Sequence, residues 1–524
     1  MPLLPRQTAI GLLFALVAST ALSAAPCNIR DFGAKGGQFP GDQKAIQAAI
    51  DACAQGGGGE VLVPAGDYRA GKLVLKSNVT LKLEAGATIW STDRIEDFDA
   101  HPRPREHGFL LVADGQENIS VTGEGTLEGA GSGELGRRDV DEDRSPMPAH
   151  RFGMIRFAHC RNVHLRDFTI RFSEAHTVIF DQCEDVSVAG VSILNNFVRT
   201  NTDGIDPISC RNVMISNCHI VCGDDCICPK TEEGRPLENL VVDNCILESV
   251  AGAVKLGTDS SGTFRDIKVS NCVIRNSGVG IGMFIKDGGL VERASFSHLS
   301  IETTRPGVRI NAQLRKTIIP IYIDLTKRRP SSPLSRIRDV SFSDIQIESD
   351  NGILIQGLPQ RPIENLTLRN ISFRVVAATD FSARVEREGG NSTYRDENYT
   401  RFVRQPTYIA LAHVDGLVVE DVRVLIDPPV FQRFDRSALA LFESSNAVIR
   451  DVQRLPVGVS DGQAVLSLNN CREILVTGCL VLPGTPVFLR LAGKRTAAIA
   501  VTGSGPTLPV TQDPQVPGDA LKRL

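Results

Sequence analysis

Short runs of alternating apolar and polar residues recur along most of the chain. In Arg211-Asn-Val-Met-Ile-Ser-Asn-Cys-His-Ile220, Val213 and Ile215 alternate with polar neighbours. A polar Ser-Asn step follows, then a second alternation through Cys218 and Ile220. The same phrase returns at Glu238-Asn-Leu-Val-Val-Asp-Asn-Cys-Ile-Leu247 and at Arg265-Asp-Ile-Lys-Val-Ser-Asn-Cys-Val-Ile274. Alternation predicts half-buried strands, and the polar step predicts a turn between them.

The spacing of these phrases predicts the architecture. Asp185, Asn212, Asn239, Asp266 and Arg293 follow one another at 27-residue steps. Looser copies start at Asn118, Asn162, Asp339, Asn365 and Glu473. Strands this short at so even a period do not build a hairpin-rich sandwich. A coil of three short strands per turn does, with equivalent positions stacked at about 4.8 Å. A leucine-rich repeat is the competing solenoid, but helix-forming segments between the strands are missing. An open solenoid end needs a cap. Residues 42–56 predict one: Ala45, Ile46, Ala49, Ile50 and Cys53 share a helical face, Asp42 is placed as N-cap, and Gly56–Gly59 ends the helix. Inserts interrupt the repeat at roughly 303–335 and 375–413, the second carrying Tyr394, Tyr399, Phe402 and Tyr408. Such inserts either wall a groove or form disordered loops. The expected division is a signal peptide at 1–25, a β-helical domain at 26–480, and the solenoid end with a tail at 481–524.

Composition adds limits. Net charge is −4, so no global basic field attracts nucleic acid or anionic membrane. Arg6, an apolar run from Ala9 to Leu22, and the small residues Ser23, Ala24 and Ala25 read as an export signal, too short to span a bilayer. A secreted or periplasmic monomer is expected, with no membrane and no nucleic-acid partner. Of the 13 cysteines, Cys218, Cys245 and Cys272 keep the 27-residue period, as do Cys183 and Cys210. That spacing predicts stacked free thiols in a solenoid interior. Cys27 with Cys53 is the best disulfide candidate. Cys222, Cys226 and Cys228 lack a matching second pair of ligands, so no metal and no cofactor is expected.

Polar residues that break the repeat point to chemistry. Asn201-Thr-Asp-Gly-Ile-Asp206 lies in one turn and Gly223-Asp-Asp-Cys226 in the next. Asp203 and Asp225 are 22 residues apart, close to one coil, so they are expected in nearly the same column with Asp224 beside them. Three carboxyls so close cannot all ionise freely, and at least one pKa rises. Glycoside hydrolysis uses such a set: one carboxylic acid protonates the leaving oxygen and another carboxylate activates water. A solvated or calcium-binding turn is the bland alternative for one Asp-Asp pair. Two such motifs one coil apart favour catalysis.

These two motifs resemble the signature of family 28 glycoside hydrolases, the polygalacturonase group. Asp31-Phe-Gly-Ala-Lys35, Ala45-Ile-Gln-Ala-Ala-Ile50, Gly123-Glu-Gly-Thr-Leu127, Pro320-Ile-Tyr-Ile323 and 408–418 also look like bacterial members, so the resemblance spans roughly residues 27–480. It implies an all-β, right-handed parallel β-helix with an N-terminal capping helix, and an inverting hydrolase of pectic polysaccharide. By that resemblance Asp224 is the general acid, Asp203 and Asp225 hold and activate water, and Asn201 binds substrate. Two departures stand out. The family's Gly-His-Gly turn reads Val250-Ala-Gly-Ala-Val-Lys-Leu-Gly257, without histidine. Its Arg-Ile-Lys motif reads Phe284-Ile-Lys286, and a phenyl ring cannot replace the bidentate fork of arginine. Lys255 either supplies the missing charge or is a solvated rim residue. Lys286 is expected at the substrate. His176, 27 residues before Asp203, either lines the same groove or is an ordinary packed or exposed histidine. Two other functions share this fold: a polysaccharide lyase, which needs a Lys, Arg or Tyr base, often with calcium, and an uronate substrate, and which Lys255 and Lys286 leave open; and a non-catalytic glycan binder.

Overall fold

The computed structural model describes residues 26–37, 41–98, 108–129, 151–197, 199, 201–303, 319–376, 407–431, 436–456, 463–504 and 508–524. The expected export signal lies outside these residues. So do Tyr394, Tyr399 and Phe402, with most of the second insert and residues 304–318 of the first.

Among the described residues every strand ladder is parallel, and each coil pairs with the next in register. Val163, Val186, Val213, Leu240 and Ile267 are successive partners along one interior column. Among the described residues, the coils from Gly59 to Ile274 each put two short strands into a 25-stranded sheet, whereas from Leu290 on each coil gives it one strand, up to 14 residues long, rather than the expected pair. One strand per coil builds the remaining wall, in pieces of five and nine strands. The fold is therefore the expected all-β, right-handed parallel β-helix. Its interior is mostly apolar, and the rings of Phe296 and Phe342 stack with centroids 5.0 Å apart. The ladder continues past residue 480, ending on Leu521–Arg523 paired to Ala497–Thr502.

The heads of the repeated phrase have a physical role. Asn118, Asn162, Asp185, Asn212, Asn239, Asp266, Arg293, Asp339, Asn365 and Glu473 all have φ between 52° and 58°. This left-handed conformation is one that Asn and Asp tolerate better than other residues carrying a Cβ. It turns the chain out of the wall and into the next strand. The side chains then join up the coil stack: Asn162 Nδ2 donates to Asn118 Oδ1, Asn212 Nδ2 to Asp185 Oδ1 and Asn239 Nδ2 to Asn212 Oδ1, each at 2.8 Å.

The cap forms as an α-helix over Asp42–Gln55, and Ala45, Ile46, Ala49, Ile50 and Cys53 are buried against the first coils. Asp42 is not the N-cap. Gly41 holds that position without a side-chain bond, and Asp42 Oδ1 instead accepts from the N–H of Lys35 at 2.8 Å. All 13 cysteines are free thiols, Cys27 and Cys53 included, although these two are close enough to interact. Both stretches read as inserts return to the single-strand wall, at Ile319–Asp324 and Thr407–Ala412.

The two pieces of that wall meet at one coil. Ile205–Ile208 ends the five-stranded piece and Gly252–Thr258 begins the nine-stranded one. Between them runs Cys226-Ile-Cys-Pro-Lys230, joined only by isolated bridges, Ile205 to Ile227, Ile208 to Lys230 and Ile227 to Val254. Pro207 toward this segment and Pro229 toward Gly252–Thr258 each lack an N–H for a ladder bond, which accounts for the break.

The stacked interior sets stability. Leu240→Ala is expected to lower it by about 2–5 kcal/mol through lost burial and a residual cavity. Met214→Ala, on an adjacent strand at a position 52% exposed, is expected to change it by no more than about 0.5 kcal/mol. Equilibrium denaturant unfolding of the two variants checks the contrast.

Candidate active site

The break in the wall brings the two aspartate motifs together. The N–H of Gly204 donates to the carbonyl of Asp225 at 2.8 Å, so Asp203 and Asp225 fall on adjacent coils at the expected 22-residue offset. Gly223 lets the second turn close against the first: a Cβ there would lie 2.1 Å from the carbonyl oxygen of Arg199. Thr202 Oγ1 secures the approach, accepting from the N–H of Gly223 at 3.1 Å.

Asp224 is half-buried and held by the backbone. The N–H of Asn201 donates to its Oδ2 at 2.9 Å, and the N–H of Asp225 to its Oδ1 at 3.1 Å. Asn201 sits at φ 56°, which aims its N–H at that carboxyl. Burial, and then the neighbouring Asp203 and Asp225, push the Asp224 carboxyl up to about 7. Asp203 moves the other way. Burial opposes its charge, but His176, Lys230 and Lys255 together outweigh that and hold it below the usual carboxylate range. Burial pushes Asp206 up to about 6 even with Lys230 beside it.

Two lysines compensate this charge. Lys230 Nζ is 2.6 Å from Asp206 Oδ2 and 3.4 Å from Asp203 Oδ2. Lys255 Nζ is 2.5 Å from Asp225 Oδ2. Burial works against both ammonium groups, yet the carboxylates keep both above the ordinary lysine range, Asp206 acting first on Lys230 and Asp225 on Lys255. His176 Nε2 lies 3.6 Å from Asp206 Oδ2 and 3.8 Å from Asp203 Oδ1. His176, Asp203 and Asp206 have the mutual spacing of a cation site. Lys230 supplies the positive charge there.

Asn201, Asp203, Asp224, Asp225, Lys255 and His176 thus share one cluster, in which His176 lies against Asp203 and Asp206. Lys286 stands beside it. The Phe284 ring has Lys255 Nζ at 5.5 Å, Lys286 Nζ at 5.3 Å and the Tyr322 ring at 5.0 Å. Cys222 and Cys226 turn into the core, their sulfurs 3.5 Å apart, whereas Cys228 faces Asp225. Three contributors escaped the sequence reading. Lys230 pairs with Ile208 at an offset of 22 residues, so the 27-residue period does not lead to it. Asp206 stood inside a quoted motif without a role. Arg151 carried no repeat signal, yet its guanidinium donates to the side chain and backbone of Asn201 at 3.3 and 3.4 Å.

The raised Asp224 carboxyl has a stability consequence. An unfolded aspartate titrates near about 3.9. Between that value and about 7 the folded protein holds a proton that the unfolded chain has released. Stability contributed by this group is therefore lost as pH rises through that window. Asp224→Asn removes the titration. Its stability relative to wild type should climb from about pH 4 to pH 7 and level off above. Thermal unfolding of both proteins across that range measures the difference, and a flat difference contradicts it.

Residues 53–386 match the family described as glycosyl hydrolases family 28. The chain is 24% identical over 373 residues to a probable polygalacturonase of Vitis vinifera, covering 66% of this chain and 74% of that protein. It is 28% identical over 320 residues to an exo-poly-alpha-D-galacturonosidase of Dickeya chrysanthemi, covering 50% of this chain and 53% of the relative. Its fold is similar to the family 28 exopolygalacturonase of Yersinia enterocolitica, with TM-score 0.59 and 21% identity over 83% of this chain and 80% of that one. Among the described residues no helix is long and apolar enough to cross a membrane. The match over most of the repeat, with two aspartate motifs on adjacent coils, makes the chain a glycosidase that belongs to glycosyl hydrolase family 28.

Proposed function

We propose that the protein is an exported glycosidase that hydrolyses pectic polysaccharide of plant cell walls with inversion at the anomeric carbon. The names of its relatives support the substrate class, and the apolar run before residue 23 supports export. The observation that carries the chemistry is the opposite displacement of neighbouring carboxyls, Asp224 up to about 7 and Asp203 down. Pairs of titratable groups pushed apart by their surroundings mark acid and base roles. Asp224 then enters the reaction protonated and delivers its proton to the leaving oxygen. Asp203 and Asp225 hold and activate the water that attacks the opposite face of the sugar. Asn201 fixes Asp224 through its backbone, and His176 and Lys230 keep Asp203 ionised. A lyase is the weaker reading. A lysine base must be neutral, and Lys255, one of the two candidate bases with Lys286, is held protonated by carboxylates, as is Lys230.

Phe284 bears on substrate choice. Its ring packs on Tyr322, and Lys255 is committed to Asp225. A bare uronate carboxylate against that ring would be desolvated without a bidentate partner, which is unfavourable. The ring suits a neutral or methylated sugar, with Lys286 beside it for an acidic neighbour.

Two outcomes test this reading. Asp224→Asn should lose turnover about a hundredfold or more while substrate binding persists, since an amide keeps the shape but has no proton to give. Reducing-end assays and binding isotherms on the same variant separate the two, and near-normal turnover rejects the role. Rates on unsubstituted homogalacturonan should fall below those on rhamnogalacturonan or esterified pectin. A clear preference for homogalacturonan would show that another basic group grips the carboxylate.

A further inference from the structure

Asp225 and Asp203 differ in what already occupies their oxygens. Asp225 is 1% exposed, and both its oxygens have donors. Oδ1 accepts from the N–H of Gly252 at 2.9 Å. Oδ2 takes the Lys255 ammonium at 2.5 Å and the Cys228 thiol at 3.5 Å. The two main donors sit three residues apart on one strand, Gly252–Thr258, so that strand grips the carboxylate from both sides. Gly252 permits the grip: a Cβ there would lie 2.8 Å from Asp225 Oδ1 and 3.1 Å from Lys255 Cβ. Asp203 is 4% exposed and lacks this saturation. Its Oδ2 has Lys230 at 3.4 Å, and its buried Oδ1 has no hydrogen-bond donor, with His176 Nε2 at 3.8 Å.

We propose that Lys255 is a positioning residue that holds Asp225 as its ion-pair partner with both oxygens occupied, leaving Asp203 alone to take the proton of the attacking water. This rests on the hydrolase reading above and divides a role which that reading gives to both residues. A carboxylate in a charge-assisted bond to a buried ammonium loses that bond when it accepts a proton. Asp203 Oδ1, a buried acceptor without a donor, is where a water would find a partner. In the step, the water oxygen bonds to the anomeric carbon as the glycosidic C–O bond breaks. Its proton passes to Asp203, and the proton of Asp224 passes to the leaving oxygen. The two carboxyls then re-equilibrate with solvent. The ion pair Lys255–Asp225 carries no net charge through the cycle. It fixes the floor of the site between the coil of Asp224 and the ring of Phe284.

A kinetic double-mutant cycle tests this on esterified pectin. Asp225→Asn strands the Lys255 cation and Lys255→Gln strands the Asp225 anion, so each should lower kcat about a hundredfold. The combined Asp225→Asn/Lys255→Gln protein restores a neutral hydrogen-bonded pair and should recover at least about tenfold over either single variant. Asp203→Asn should stay inactive with or without Lys255→Gln. In the recovered protein the acidic limb of the pH–rate profile should persist, set by Asp203 among His176, Lys230, Asp206 and Asp224. A combined variant no better than Asp225→Asn, or one whose acidic limb has vanished, overturns the assignment. Circular dichroism establishes that each variant is folded. If the combined variant does not fold, Lys255→Arg decides: keeping the charge should keep kcat within about tenfold of wild type, and a loss as deep as that of Lys255→Gln overturns the proposal. Wild-type protein that cleaves no pectic substrate overturns the hydrolase reading itself and this inference with it.

Discussion

A coil in this molecule satisfies its backbone only by pairing with the coil below and the coil above. Each N–H and C=O of a strand points along the stack, so the ladder cannot close within one coil. Parallel register follows from that constraint, and columns follow from register. Residues one period apart in sequence become neighbours separated by one strand spacing. Val213 meets Leu240, Asn212 meets Asn239, and Asp203 meets the coil of Asp225 for the same reason.

Charge concentrates where the columns are interrupted. At Pro229 the wall loses its regular ladder, and the polar groups of that coil turn toward the groove. Four aspartates lie there with two lysines and a histidine. Bringing them so close is tolerable because the cations are unevenly shared. Asp206 and Asp225 each have a lysine at hydrogen-bond distance, Asp203 has a distant one, and Asp224 has only backbone donors. Asp203, within reach of His176, Lys230 and Lys255 together, is held below the usual carboxylate range, whereas burial pushes Asp206 and Asp224 up.

Much of this was legible in the chain. The 27-residue repeat was visible because stacking forces equivalent positions to be alike. The phrase heads were visible because the left-handed corner selects Asn and Asp. The two aspartate motifs stood out as breaks in that regularity. What escaped reading depended on contacts that the period does not encode. Lys230 reaches diagonally to Asp206 across a coil whose offset shortens to 22 residues. Arg151 reaches Asn201 from 50 residues upstream. Asp42 could satisfy either its own helix or the preceding loop, and local sequence does not distinguish the two; the loop prevails. Cys27 and Cys53 were correctly brought together, but as free thiols.

The thiol columns make the solenoid a reporter of its own opening. Cys160, Cys183, Cys245, Cys272 and Cys471 are buried in the coil stack and held as protonated sulfhydryls, Cys471 pushed up to about 12 by burial. A protonated, inaccessible thiol does not react with oxidants or alkylating reagents. Any reaction at these positions must therefore wait for neighbouring coils to part. Because these cysteines are spread from residue 160 to residue 471, the order in which they become labelled would trace which stretch of the stack unzips first.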